Sequence, residues 1–175
     1  MSEEPLYRLR DLPQMHPRLV WREIAGAAAV VLGRLKRRSI VSVPTVFENF
    51  AGLTEEAVPL RVEITGSSKQ FLLRLLATYE RMHLVEMAGI ALAGVALYHV
   101  GGMEIRDVAI YGSGADYLVG DALTLLEVAG RSRRQDARKA WKAKMIRLRK
   151  RAASGFLLFV ADFETPTARC AFLEE

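Results

Sequence analysis

Three carboxylates, Asp116, Asp121 and Glu127, lie close together in the segment GSGADYLVGDALTLLEVAG, residues 112–130. Apolar runs on either side of Gly120 predict two strands joined by a tight turn. Asp116 and Glu127 then lie on neighbouring strands, where two side chains can face one side and reach one ion. Magnesium prefers oxygen ligands and usually takes only one or two protein carboxylates. These two acids are therefore candidate ligands for Mg²⁺.

A second interpretation of the same segment needs no metal. Asp121 suits a two-residue turn with Gly120, Asp116 can cap the loop after Gly114, and Glu127 can sit on a solvated face. Against this, Glu127 interrupts the apolar run LTLLEVAG, and a carboxylate in a covered sheet needs a partner. Both interpretations remain open at this point.

Composition indicates one ordinary globular domain. The chain has 175 residues, 51% of them hydrophobic and 26% charged, with a net charge of +5; these fractions exclude a disordered chain, and the charge mildly favours an acidic partner. The single cysteine, Cys170, excludes an internal disulfide framework, argues against a cysteine zinc site and is expected to be a buried thiol. We predict a cytoplasmic protein, since residues 1–17 lack the pattern of a secretion signal.

The most apolar stretch, LVEMAGIALAGVALYHV at residues 84–100, is short for a bilayer and contains Glu86. It predicts a buried core helix, and no membrane partner is expected. The histidines His16, His83 and His99 show no metal-ligand spacing, so we interpret them as structural or surface residues.

Periodicity predicts a mixed order of helices and strands. The N-terminal part contains a helix over residues 18–38 and the short strands SIVSVP and PLRVEIT. A single long helix follows over residues 67–100, capped by Ser67 or Ser68 and ended by Gly101–Gly102. The C-terminal part contains three strands (MEIRDVAIYG, ADYLVG, LTLLEVAG), a basic helix, the strand GFLLFVADFE and an edge strand in ARCAFLEE.

This order of elements, with an acid at the start of the second strand of the three and a glutamate inside the third, resembles the PD-(D/E)xK nuclease-like superfamily. Asp116 of GADYLVG matches the first acid of its motif and Glu127 of LLEVAG the second. The resemblance implies an α/β fold with a restriction-endonuclease-like α-β-β-β-α-β core over residues 67–175. Residues 1–66 would then be a helix and strand extension packed on that core.

The chain departs from the superfamily motif at one position. The lysine of the Glu-x-Lys element would be residue 129, which is Ala129. In active members that lysine helps to position the attacking water. Either Lys139 or Lys142 on the next helix replaces it, or the site no longer cleaves a substrate. The first helix of the superfamily core often adds an acid, which makes Glu86, and less strongly Glu80, a further candidate. Surface exposure is an equal alternative for Glu86.

The helix after the hairpin is strongly basic. Residues 131–151 contain eleven lysines and arginines and a single acid, Asp136. A solvated face is the usual interpretation of such a run, but the like charges repel each other within a helix, which favours an acidic partner such as a phosphate backbone. The candidate nucleic-acid-binding residues are Arg131, Arg133, Arg134, Arg138, Lys144 and Arg147.

Two functional hypotheses follow. The first is a Mg²⁺-dependent nuclease that cleaves phosphodiesters in phage defence or DNA processing. The second is a catalytically inactive, nuclease-like subunit that binds a partner protein or nucleic acid in a larger assembly. A lysine beside Asp116 and Glu127 would favour the first, and an arginine paired with Glu127 would favour the second.

Overall fold

An eight-stranded mixed β-sheet with helices on both faces forms the fold. The computed structural model describes residues 4–33, 39–50, 53–109, 113, 115–150 and 155–173. The strands are β1 Leu6–Arg8, β2 Ile40–Phe50, β3 Leu53–Glu63, β4 Ile105–Val108, β5 Tyr117–Val119, β6 Thr124–Arg131, β7 Phe156–Asp162 and β8 Thr167–Leu173. The helices are α1 Leu12–Met15, α2 Arg22–Gly33, α3 Lys69–Thr78, α4 Arg81–Gly101 and α5 Arg134–Arg149, and a 3₁₀ turn spans Leu9–Asp11. The predicted α/β class is confirmed.

The strand order in the sheet is β1-β3-β2-β8-β7-β6-β5-β4. Strands β4, β5 and β6 form an antiparallel meander. Strand β7 runs parallel to β6, and α5 connects the two. A parallel pair needs such a crossover connection, because the chain must return to the end of the sheet at which the first strand began.

The last strand was expected at an edge of the sheet, and that expectation is wrong. Strand β8 is antiparallel to β7 and also parallel to β2, with Thr45 paired to Ala168 and Glu48 to Ala171. It is therefore an interior strand. Through it, β1, β2 and β3 of the N-terminal 66 residues continue the sheet.

The single long helix expected over residues 67–100 is two helices. Tyr79 and Glu80 have extended backbone (φ −115°, ψ 140° and φ −63°, ψ 152°), which ends α3 and starts α4. The break lets α3 pack on α2 while α4 packs on both α2 and the sheet. Ser68 caps α3 as predicted, because its hydroxyl oxygen accepts a 3.2 Å hydrogen bond from the Phe71 N–H.

The remaining boundaries differ in detail from the predicted ones. Helix α2 covers Arg22–Gly33 of the expected 18–38, of which residues 34–38 lie outside the described residues. The hairpin after β5 is a four-residue turn over 120–123, since Val119 pairs with Thr124. The turn contains two left-handed residues, Gly120 (φ 67°) and Leu123 (φ 52°). Asp121 lies in this turn and forms an ion pair with Arg106.

Helix α4 forms the centre of one layer. It is long and apolar enough to cross a membrane, but 67% of its most apolar 18-residue window is buried inside the protein. Gly102, in left-handed conformation at φ 60°, ends it as predicted. The described chain thus resembles a soluble α/β domain with one buried apolar helix, and a cytoplasmic location stays a prediction.

Two hydrophobic clusters lie on opposite faces of the sheet. The larger one joins α2 and α4 to the sheet through side chains such as Ala88, Leu92, Leu126 and Phe159. The smaller one lies under α5 and contains Trp141 among others. Neighbouring residues of a strand face opposite sides of the sheet. In β6, Leu126 and Val128 therefore face α4, whereas Glu127 and Ala129 face α5.

His16 is fully buried and links the N-terminal segment to α4 and β4. Its Nδ1 accepts a 2.9 Å hydrogen bond from the Ile105 N–H, so its Nε2–H donates to the Gly94 carbonyl at 3.0 Å. Burial lowers the pKa of His16 below its ordinary value, and the Gly94 hydrogen bond and the nearby Glu104 carboxylate only partly oppose this. The folded state therefore favours the neutral imidazole.

Stability is expected to fall as the pH drops below the pKa that His16 has in the unfolded chain, about 6.5. Between that value and the lower pKa of the folded state, His16 is protonated in the unfolded chain but neutral in the folded chain, so a falling pH favours unfolding. We expect urea denaturation between pH 7.5 and 5.5 to show this loss in wild type and in His83→Gln, which replaces an exposed histidine. His16→Gln should be less stable at pH 7.5 but nearly insensitive to pH. An unchanged pH dependence in His16→Gln would contradict the assignment.

Candidate functional site

Strand β6 places Glu127 on the face of the sheet that α5 covers. Only 3% of Glu127 is exposed, and its neighbours on the strand are apolar. Ala129 lies on the same face two residues later and is fully buried in the cluster under α5. A buried carboxylate in such surroundings needs charged or hydrogen-bonding partners.

The partners of Glu127 come from α5. The Lys144 ammonium and the Arg147 guanidinium both contact Glu127 Oε1. The two cations are three residues apart, which places them on one side of the helix. Glu127 Oε2 is also buried, and it has no hydrogen-bond partner in the described part of the chain. One oxygen is thus neutralised by two cations while the other is left unpaired.

Asp116 lies directly before β5, beside Glu127. The register pairs Tyr117 with Leu126, and the Asp116 N–H donates a 2.8 Å hydrogen bond to the Leu126 carbonyl, so Asp116 lies against the part of β6 that contains Glu127. The Asp116 carboxylate oxygen Oδ2 accepts a 2.7 Å hydrogen bond from the Val128 N–H. This bond holds the carboxylate of Asp116 against the middle of β6.

The pKa of the Asp116 carboxyl is raised above its ordinary value. Although the residue as a whole is exposed, withdrawal of its carboxyl from water is the largest cause, and repulsion by Glu127 and Glu86 adds to it. The Val128 hydrogen bond and the Lys144 charge act in the opposite direction. Asp116 therefore lies in the electrostatic field of both other acids and of the lysine.

Glu86 reaches the same region from α4. Its carboxylate accepts a 3.3 Å hydrogen bond from the Gly130 N–H and forms an ion pair with Arg131. The approach depends on glycine, because an added Cβ on Gly130 would overlap the backbone carbonyl of Val85 in α4. We call Glu86, Asp116 and Glu127 the acid cluster. The charges of Glu86 and Glu127 both act on the Asp116 carboxyl, but Glu86 approaches from the α4 face of the sheet and Glu127 lies on the α5 face.

The lysines expected to replace the motif lysine lie elsewhere. Lys139 and Lys142 are exposed on α5. The cations that contact Glu127 are instead Lys144 and Arg147, two of the candidate nucleic-acid-binding residues. The helical period of α5 contains the information that identifies Lys144 as the lysine beside Glu127. Since Trp141 and Leu148 face the sheet, the positions three and seven residues after Trp141 share one side of the helix, and Lys144 is the first of these.

The other basic candidates divide into paired and unpaired residues. Arg131 pairs with Glu86, and Arg134 pairs with Asp162 at 3.4 Å. Arg133 and Arg138 are exposed, and neither forms an ion pair with another residue in the described ranges. The charge of the basic segment is therefore partly used within the fold, whereas the charges of Arg133 and Arg138 face solvent.

Asp116 and Glu127 are the two acids that could supply oxygen ligands for one cation, and the unpaired Glu127 Oε2 is the atom that fits such a role. A buried carboxylate oxygen without a donor is costly, and a bound cation would satisfy it. Two carboxylates, Asp116 and Glu127, are enough for Mg²⁺, which keeps several waters. Within the ranges described, no group of three or more acidic, histidine or cysteine side chains is arranged to hold a metal ion. The fit therefore rests on these two residues.

Comparison of the chain with protein-family models, with curated proteins and with solved structures found no match. The geometry of the site is therefore the basis for the function proposed below.

Proposed function

We propose that this protein is a PD-(D/E)xK nuclease-like enzyme with a restriction-endonuclease-like core, which binds Mg²⁺ at Asp116 and Glu127 and cleaves phosphodiester bonds. The succession α4, β4, β5, β6, α5, β7 supports the proposal, because it is the helix–strand–strand–strand–helix–strand order that the sequence resemblance implies. Further support comes from the location of the two acids, since Asp116 directly precedes β5 and Glu127 lies inside β6.

The observation that carries the proposal is the contact of Lys144 with Glu127. The motif position on β6 is occupied by Ala129 and not by a lysine. Ala129 lies on the same face of the strand as Glu127. The ammonium of Lys144 enters this face from α5. The chain thus combines two neighbouring carboxylates and one lysine amine, although the lysine comes from a different element.

Each residue has a distinct role in the proposed chemistry. Asp116 and Glu127 would hold the metal ion, and a bound Mg²⁺ supplies charge neutralisation for the phosphate and a more acidic water. Lys144 places a positive charge next to Glu127, where it can orient a water and stabilise negative charge that develops on the phosphate. The Val128 N–H fixes the direction of the Asp116 carboxylate. Exposed basic residues at the start of α5, such as the N-cap residue Arg133, can hold the phosphate backbone.

A second candidate function is supported by Arg147. Its guanidinium shares Glu127 Oε1 with Lys144, and two cations on one oxygen compete with a metal for that carboxylate. This contact favours an inactive nuclease-like subunit that binds nucleic acid or a partner protein in a larger assembly. For both candidate functions, the proposed process is phage defence or DNA processing.

Calorimetric titration of Mg²⁺ and Mn²⁺ separates the two candidates. We expect wild type to bind the metals and Glu127→Gln to lose about tenfold or more in affinity, because the substitution removes one ligand charge and keeps the shape of the side chain. Cleavage of plasmid and single-stranded DNA on the same samples should require metal and should be lost in Glu127→Gln.

Glu63→Gln is the matched control. Glu63 also pairs with an arginine, Arg8, but it lies on β3, four strands away from β6 in the order of the sheet. Its substitution should leave metal binding and cleavage unchanged. Absence of metal binding and of cleavage in wild type would refute the enzyme and leave the inactive subunit.

A further inference from the structure

A charged cavity lies on the α5 face of the sheet, apart from the acid cluster. Its volume is 330 Å³, within the range of small-molecule sites. It opens where the sheet continues past α5 to β8 and β2. Its polar and aromatic lining consists of Arg134, Arg138, Trp141, Asp162, Thr167 and Arg169. None of these residues belongs to the acid cluster.

The positive charge of the cavity is only partly neutralised. Arg134 pairs with Asp162, and Arg169 pairs with Glu48. Arg138 lines the cavity, is exposed and forms no ion pair with another described residue. Its guanidinium therefore offers a free planar set of donors, the geometry that suits a phosphate.

A flat cationic surface lies beside this free charge. The guanidinium carbon of Arg169 is 4.5 Å from the centre of the Trp141 ring. Only 8% of Trp141 is exposed, whereas Arg169 is exposed on β8, so the arginine plane is the surface that a ligand meets. Nucleobases stack on such arginine planes.

Apolar and hydroxyl groups complete the lining. Pro44 and Val46 of β2 and Ala168 of β8 supply apolar contact. The Thr167 side chain adds a hydroxyl that can donate to, or accept from, a sugar or a base edge. The Asp162 carboxylate is already used, since it accepts hydrogen bonds from Arg134 and from the Glu164 N–H.

The geometry points to this cavity as a binding site for a nucleotide, with the phosphate at Arg138 and the base over the Arg169–Trp141 stack. The nucleotide can be a free nucleoside monophosphate or one unit of a single strand. This site does not rest on the proposed nuclease activity, since it shares no residue with the acid cluster and would bind whether or not that cluster cleaves.

The test is calorimetry on the full chain at fixed salt, with nucleoside monophosphates, inorganic phosphate, adenosine and a short single-stranded oligonucleotide as separate probes. We expect Arg138→Gln to weaken mononucleotide binding about tenfold or more, as loss of a charge-assisted contact does. Arg149→Gln is the matched control, because it makes the same change at an exposed residue about three turns further along the same helix, outside the cavity lining. It should change mononucleotide affinity less than about twofold.

Arg169→Lys separates stacking from charge. It keeps the positive charge but removes the planar guanidinium, so the preference for nucleotide over inorganic phosphate should fall. Binding of the oligonucleotide with the same dependence on Arg138 identifies a strand as the source, and binding of the mononucleotide alone identifies a free nucleotide. No nucleotide binding at millimolar concentration, or equal effects of Arg138→Gln and Arg149→Gln, would overturn the inference.

Discussion

Gly130→Ala is expected to destabilise the protein by about 3 kcal/mol, a large effect for the addition of one methyl group. A Cβ at this position would overlap the Val85 carbonyl oxygen and lie 2.9 Å from its carbon. Both are backbone atoms of α4, so no side-chain rotation relieves the overlap. Instead α4 and β6 must separate, which loosens the larger hydrophobic cluster between them.

Denaturation by urea measures this effect, with Gly33→Ala as its control. Gly33 ends α2, and among the described residues a Cβ there meets the Ile64 Cδ1 atom alone, at 3.4 Å. The same substitution should therefore leave stability unchanged or raise it by up to about 1 kcal/mol, because alanine favours a helix over glycine. A Gly130→Ala protein as stable as wild type would mean that α4 and β6 are not packed this closely.

Lys144→Met is expected to lower the rate of metal-dependent DNA cleavage about 100-fold or more while leaving metal affinity equal or higher. The substitution keeps the apolar stem of the lysine and removes the ammonium that contacts Glu127. Loss of a positioned proton-transfer or charge-stabilising group costs about this much in rate. Metal affinity is not expected to fall, since one competing cation leaves the carboxylate. Single-turnover cleavage and calorimetry on the same protein provide the two readouts.

Arg147→Met is the comparison variant, because Arg147 contacts the same oxygen from three residues further along α5. If Lys144 has the catalytic role, removal of Arg147 should preserve cleavage and tighten metal binding. Equal rate losses in the two variants would assign both cations to holding Glu127 in place. Circular dichroism and denaturation curves establish that both variants fold, so that a loss of rate reports on the site.

The order of helices and strands follows from local pattern. The change from helical to alternating period marks the start of the β4–β6 meander, and the apolar run that becomes β7 signals a strand covered on both faces. Ser68 and Gly102 mark helix ends because their cap geometry depends on the residue itself. The hairpin brings Asp116 and Glu127 onto neighbouring segments as predicted, but the register follows from a four-residue turn that the predicted two-residue turn does not give.

Other features depend on contacts between distant segments, which local pattern does not contain. The break at Tyr79 serves the packing of α3 on α2, and the Tyr79 hydroxyl donates to Glu23 at 2.8 Å across 56 positions. The interior place of β8 depends on β2. The choice of Lys144 over Lys139 depends on which side of α5 faces the sheet. The apolar positions of the helix hold that information, but the density of basic residues obscures it.

The parallel pairing of β2 with β8 also determines how the protein can be assembled during synthesis. Thr45 and Ala168 are neighbours in the sheet but lie far apart in the chain, and such non-local contacts form slowly. Until they form, β2 and β7 each present an open row of backbone groups, a template for pairing with other chains. The nascent protein therefore exposes two aggregation-prone edges until its last described strand emerges, and that strand closes both at once.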